Sequence, residues 1–171
     1  VGIVGFGGVG RRLAELLAPF AVRIVATDLF PVDRPEHVEE LWPADALDRL
    51  LQCADFVVLC APLNAATRGM IGAAQLSEMR PGSVLCNVAR GPLVVTEALI
   101  EALESGHLAG AVMDVTDPEP PPPEHRLWQA PRTIITPHVG GQSASRIDDM
   151  TRLFCENLRR YHSGKPLINF L

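Results

Sequence analysis

Short apolar runs alternate along the chain with segments whose apolar residues recur every three or four positions. Six runs are rich in Val, Ile and Leu with little polar alternation: VGIV (1–4), VRIVAT (22–27), FVVLCA (56–61), SVLCNV (83–88), AGAVMDV (109–115) and TIIT (133–136). Such runs mark strands covered on both faces. Between the first two, Val9, Leu13, Leu16 and Leu17 form one stripe of an amphipathic helix. A second helix is expected from about Glu97 to Ser105, with Thr96 as N-cap, Leu99, Ala102 and Leu103 facing inward, and Gly106 ending it. A third carries Ile147, Met150, Phe154, Leu158 and Tyr161 and stops before Gly164 and Pro166. Pro31, Pro35 and Pro43 interrupt residues 31–54, although Leu47, Leu50 and Leu51 suggest a short helix beneath the sheet. The tract PEPPPPEH (118–125) lacks ladder donors and is expected to be a stiff, extended loop of polyproline character.

Strands separated by helical crossovers predict a doubly wound α/β fold of Rossmann type. Its parallel sheet has about six strands, helices on both faces, and ligands beyond the strands' carboxyl ends. A chain of 171 residues fits one domain of ordinary size with a real core. Its 47% hydrophobic and 20% charged residues are globular values, and no apolar run approaches the ~20 residues of a membrane span. The net charge of −5 and the scattered arginines argue against nucleic acid or an anionic membrane as partner. Cys53, Cys60, Cys86 and Cys155 form no CxxC pair and no zinc-like spacing with histidine, so no metal is expected. Free cysteines inside apolar runs suit a reducing, cytoplasmic setting, and the N-terminus lacks the pattern of a signal peptide.

Candidate chemistry begins at GFGGVG, where Gly5, Gly7 and Gly10 follow a strand and open a helix, with Gly8 and Val9 in the same turn. A tight turn, close approach of a pyrophosphate to the backbone, and close helix–strand packing each need a residue without Cβ. The anion would sit at the positive end of the helix dipole. Asp28 closes the second strand roughly 20 residues further on, where a carboxylate accepts hydrogen bonds from ribose hydroxyls and repels a 2′-phosphate. The cofactor reading is therefore NAD rather than NADP. Arg34 is the residue that could serve a 2′-phosphate; its simpler reading is a solvated loop arginine.

Three further strand ends each deliver one reactive candidate: Arg90 in NVARGPLVV, Glu119 in DVTDPEP and His138 in TPHVGG. In an open α/β sheet these ends share the rim that holds the cofactor. Reduction of a 2-keto acid needs a hydride on carbon, a proton on oxygen and an anchor for the carboxylate. An arginine fork suits the anchor, histidine the proton step, and a neighbouring carboxylate orients the ring and favours its charged form.

Together VGIVGFGGVG, Asp28, APLNAATRGMI, MRPGSVLCNVARG, LAGAVMDVTDPEP and IITPHVGG resemble, in order and approximate spacing, the D-isomer-specific 2-hydroxyacid dehydrogenase family. The resemblance implies that Arg90 binds the substrate carboxylate and carbonyl, His138 is the acid/base and Glu119 its partner. It implies that Asp114 holds the nicotinamide carboxamide, and that Ala61, Pro62, Thr67, Val88, Ala89 and Gly140 line the cofactor site with Arg90 and His138. Formate dehydrogenases are similar too but carry glutamine where Glu119 stands, which argues against formate oxidation. Thr116 stands where many relatives have an aromatic. Family members carry a substrate domain before the first Rossmann strand, so the chain is expected to be the cofactor domain of a longer two-domain protein, with PLINFL (166–171) cut short or returning toward the other domain. The resemblance also implies a homodimer and a small 2-keto or 2-hydroxy acid substrate. Corepressors similar to this family offer the alternative of an NAD(H)-sensing binding protein.

Overall fold

The computed structural model describes residues 1–30 and 33–168. These form two compact units, Val1–His138 and the residues from Val139 onward.

The first unit is a seven-stranded sheet, all of it parallel: β1 (Gly2–Val4), β2 (Val25–Asp28), β3 (Glu40–Pro43), β4 (Phe56–Leu59), β5 (Val84–Asn87), β6 (Gly110–Met113) and β7 (Thr133–Ile135). The order is β3-β2-β1-β4-β5-β6-β7, so the chain switches direction across the sheet between β1 and β4. Successive residues pack on opposite faces, as the pleat requires. Val4 and Val25 enter a large core with Leu50, Leu76, Leu99 and Leu103, whereas Ile3 and Ala26 enter a smaller one with Phe6, Ala14 and Ile24. The larger core is covered by α2 (Leu47–Cys53), α3 (Ala73–Glu78) and α4 (Thr96–Glu104), the smaller by α1 (Gly8–Leu17). The doubly wound expectation holds.

Four expectations change. There are seven strands, not six, because β3 lies among the prolines. It occupies the sheet edge beyond β2, where Pro43 ends the strand and owes no donor to an outer neighbour. Val9 and Leu16 face solvent at 62% and 55% exposure. Gly10 and Ala14 are the residues that α1 buries, because contact this close admits only small side chains. Thr96 does not cap α4; the N-cap is Val95, and the Thr96 hydroxyl donates to the Asp117 carbonyl at 2.8 Å. The proline tract does not run out as a rod. It bends over residues 117–120, contains cis Asp117–Pro118 and Glu119–Pro120 bonds, and is tied back by the Trp128 indole N–H, which donates to the Pro122 carbonyl at 2.9 Å. Pro31 lies outside the described residues.

The second unit is dominated by α5 (Arg146–His162). Its expected stripe, Ile147, Met150, Phe154, Leu158 and Tyr161, is fully on display, with no residue of the helix buried. Asn157 holds the following segment through reciprocal bonds with the Ile168 backbone, both 2.9 Å; the rest of PLINFL, residues 169–171, lies outside the described residues. Among the described residues no helix is long and apolar enough to cross a membrane.

Candidate functional site

Because every ladder is parallel, all carboxyl ends of the strands open on one edge, and the segments after β1, β2, β4, β5, β6 and β7 carry the candidate residues. At the switch point Gly5 adopts φ +92°, and a Cβ on it would lie 2.5 Å from the Ala61 backbone nitrogen. Gly10 is equally closed, since its Cβ would fall 2.2 Å from the Gly5 carbonyl oxygen. Gly7 and Gly8 are the opposite: a Cβ there would meet nothing within 4 Å. Two glycines therefore let the turn close, and the other two leave its outer surface bare for a ligand. Gly7 caps α1 without a side-chain bond, and no acidic residue occupies the first turn. A helix start whose amides lack an internal acceptor is an anion site. The cradle fits the pyrophosphate of a dinucleotide.

Asp28 ends β2 beside this turn. Its Oδ2 accepts from the Phe6 N–H at 2.6 Å and its Oδ1 from the Phe30 N–H at 3.0 Å, so the carboxylate first organises the turn itself. A carboxylate offers about four acceptor positions, which leaves room for ribose hydroxyls. Asp28, Leu29, Phe30, Leu41 and Trp42 line a cavity of about 370 Å³. Arg34, also at this cavity, is not merely solvated: its guanidinium donates to the carbonyls of Val38 and Glu39. Next to the crevice Thr67 donates to the Pro62 carbonyl at 2.7 Å, fixing the loop after β4, and Ala61 is buried. Burial, with the Cys86 thiol as a lesser cause, pushes the Cys60 thiol up to about 11; burial also raises Cys86.

On the other half of the edge, His138 Nδ1 and Glu119 Oε1 are 2.6 Å apart. The ring sits on a backbone of φ +55°, a conformation uncommon outside glycine and tolerated by histidine better than by branched residues. The His138 N–H donates to the Thr136 carbonyl at 2.9 Å. Side-chain exposures of 47% and 40% mean that the pair adds at most about 1 kcal/mol to stability. His138, Glu119, Asp114, Thr116, Trp128 and Thr136 are among the residues lining a cavity of about 310 Å³. Asp114 is buried and its Oδ1 accepts from the Thr136 hydroxyl at 2.6 Å.

Arg90 lies on the same edge but does not line this cavity; it is exposed, and its Nη1 donates to the Ala89 carbonyl at 2.6 Å. Val88 is exposed and Ala89 buried, while Gly140 belongs to the second unit. Sequence reasoning missed Asn87. This fully buried amide donates to the Arg90 carbonyl at 2.9 Å and accepts from the Ala89 N–H at 3.1 Å, shaping the loop that presents the arginine. A polar residue closing the apolar run SVLCNV was the available signal. Among the described residues no cluster of His, Cys, Asp and Glu is placed to hold a metal ion.

Fold and cradle together define a dinucleotide-binding α/β domain with a histidine–carboxylate pair on its ligand edge. Residues 1–140 match the D-isomer specific 2-hydroxyacid dehydrogenase NAD binding domain, and the chain belongs to that family. It is 39% identical over 166 residues to a glyoxylate reductase of Thermococcus gammatolerans, covering 96% of this chain and 49% of that protein. It is 34% identical over 168 residues to a glycerate dehydrogenase of Methylorubrum extorquens, covering 97% and 51%. Among solved structures, a D-isomer specific 2-hydroxyacid dehydrogenase from Xanthobacter autotrophicus Py2 in complex with NADPH and MES superposes with TM-score 0.92 at 34% identity, covering all of this chain and 69% of the other. The chain thus spans about half the length of the curated relatives it matches.

Proposed function

We propose that the protein is an NAD-dependent dehydrogenase that interconverts small 2-keto acids and D-2-hydroxy acids, with residues 1–171 as the dinucleotide-binding domain of a two-domain enzyme. The observation that carries this reading is the 2.6 Å His138–Glu119 pair on the strand-end edge that also bears the glycine cradle. The curated relatives act in their names on glyoxylate and glycerate, a keto acid and a hydroxy acid of this class.

Gly5, Gly7, Gly8, Val9 and Gly10 would hold the pyrophosphate, Asp28 the ribose, and Asp114 the carboxamide end. When bound, the reduced nicotinamide supplies the hydride. Arg90 anchors the substrate carboxylate with its planar fork. His138, with Nδ1 turned to Glu119, carries the exchangeable proton on Nε2 and gives it to the substrate oxygen; in the oxidative direction the same nitrogen takes it back. Glu119 keeps the ring oriented through its contact with Nδ1. Asp28 favours NAD, since a 2′-phosphate would meet a carboxylate, although a solved relative holds NADPH. The four free cysteines suit a reducing compartment such as the cytoplasm, and a homodimer is the assembly that the family resemblance suggests.

Fluorescence titration with NADH and NADPH, followed by glyoxylate, hydroxypyruvate and pyruvate, tests this reading. NADH is expected to bind, with slow turnover by these residues alone, because in the two-domain enzyme proposed here the other domain would close over the substrate and exclude water. Absence of binding by either nucleotide at millimolar concentration rejects the proposal.

A further inference from the structure

Thr116 occupies a junction between the loop that bears Glu119 and the loop that bears Arg90. It is 5% exposed, and each of its polar atoms is directed at one of those loops. Its hydroxyl donates to the Pro118 carbonyl at 2.9 Å, folding the chain back within the turn that carries Glu119. Its N–H donates to Glu119 Oε2 at 3.4 Å, while the other carboxylate oxygen, Oε1, faces His138 Nδ1 at 2.6 Å. Its carbonyl lies against Gly91, the residue after Arg90, so closely that a Cβ on Gly91 would fall 1.8 Å from the Thr116 oxygen. The Thr96 and Trp128 side chains also fasten this loop, at the carbonyls of Asp117 and Pro122, but neither bonds to the Glu119 carboxylate.

We propose that Thr116 is a positioning residue: its hydroxyl sets the turn that aims Glu119 at His138 Nδ1, and its carbonyl keys that turn to the Arg90 loop. The inference rests on the functional reading above for the meaning of the pair, but its geometry can be tested separately. A neutral imidazole carries its hydrogen on either Nδ1 or Nε2, and the acceptor facing the ring decides which. A carboxylate held at Nδ1 selects the Nδ1–H form and leaves Nε2 for the substrate. Without Thr116's hydroxyl the turn opens, the carboxylate drifts, and the selection fades. Glu119 Oε1 is the carboxylate oxygen at His138 Nδ1, while the Asp114 Oδ1 at the same cavity accepts from the Thr136 hydroxyl.

Long-range proton–nitrogen correlation spectra of the 15N-labelled 171-residue chain, recorded where the ring is neutral, read the two forms directly. In the parent chain the Nδ1–H form should exceed the Nε2–H form about tenfold, the scale of one hydrogen bond to a charged acceptor. Thr116→Val and Thr116→Ala should bring the ratio to about parity, whereas Thr116→Ser, which keeps the hydroxyl, should retain the parent pattern. Backbone amide spectra verify folding, and the alanine variant serves if valine is not accommodated. The proposal is overturned if the folded Val or Ala variant keeps the parent ratio, or if the parent ring itself is mainly Nε2–H, a result that needs no variant. NADH titration of the same samples tests the functional reading independently, since loss of nucleotide binding would leave the ring result standing.

Discussion

The glycine turn and the histidine rim stand on the same edge of one sheet, yet they are built in opposite ways. The turn works by omission. Gly5 and Gly10 have no space for a methyl group, Gly7 and Gly8 leave the surface open, and the helix start has no side-chain cap. Its parts are almost contiguous in the chain. The rim works by side chains borne on loops after separate strands, with His138 and Glu119 meeting across 19 positions and with support from Thr116, Asn87 and Thr136. A site made from backbone should fail by misfolding when altered; one made from exposed side chains should lose chemistry and keep its fold.

The sharpest expected effect is on the rim. In the complete enzyme His138→Ala should lower keto-acid reduction by about 10²- to 10⁴-fold, measured as kcat with NADH in excess. Because the pair is exposed, the same change should move the denaturation free energy by less than about 1 kcal/mol. A sensor protein of the same fold would instead keep nucleotide-dependent partner binding in this variant.

The turn should answer in the reverse sense. Gly5→Ala is expected to cost about 3 kcal/mol or more in urea denaturation, since it combines a positive φ with a collision against backbone. Gly8→Ala meets no atom within 4 Å and lies in α1, where alanine is the better helix former by up to about 1 kcal/mol. It should leave stability unchanged or raised while weakening NADH binding in fluorescence titration. If both variants behaved alike, the division of labour among the glycines would be wrong.

A smaller effect is expected at the far end of the cradle. Asp28→Asn should shift relative affinity toward NADPH by about tenfold, read as the ratio of the two dissociation constants, because one like-charge contact is removed. The smallest concerns Cys60, just after β4 and packed against the smaller core. Burial lifts the Cys60 thiol to about 11, so only about a thousandth is thiolate at pH 8 and alkylation there should be slow until the chain unfolds. The linkage has a definite sign. A folded value raised above the unfolded 9.0 contributes stability that is complete below pH 9 and is lost as pH rises toward 11, which denaturation across that range would display.

The same contrast explains what could be read from the sequence. The turn and Asp28 were legible because their constraint is local: glycine spacing, a strand before and a strand after. The candidates Arg90, Glu119 and His138 could be proposed from chemistry and resemblance, but no pattern in the letters reveals that His138 sits at positive φ or that the Thr116 N–H bonds to Glu119. Strand β3 escaped notice because Pro43 reads as a breaker and the edge position that makes it harmless is a property of the sheet. Val9 and Leu16 misled because periodicity identifies a stripe and not the depth of contact; the close approach at Gly10 and Ala14 puts the small residues against the core. The bend of residues 117–120 is held by local donors from Thr116 and Trp128 and by Thr96, 21 positions away, which only tertiary proximity supplies.

A wholly parallel sheet also has an opposite margin, where β4, β5 and β6 begin just after Asp55, Ser83 and Ala109. Gly82, in the turn before β5, has open space around it but sits at φ +82°, so attachments belong at neighbouring exposed positions and not at the glycine itself. Dyes, affinity handles or surface attachments placed along that margin would let the molecule be tracked or immobilised with its working side turned outward and untouched.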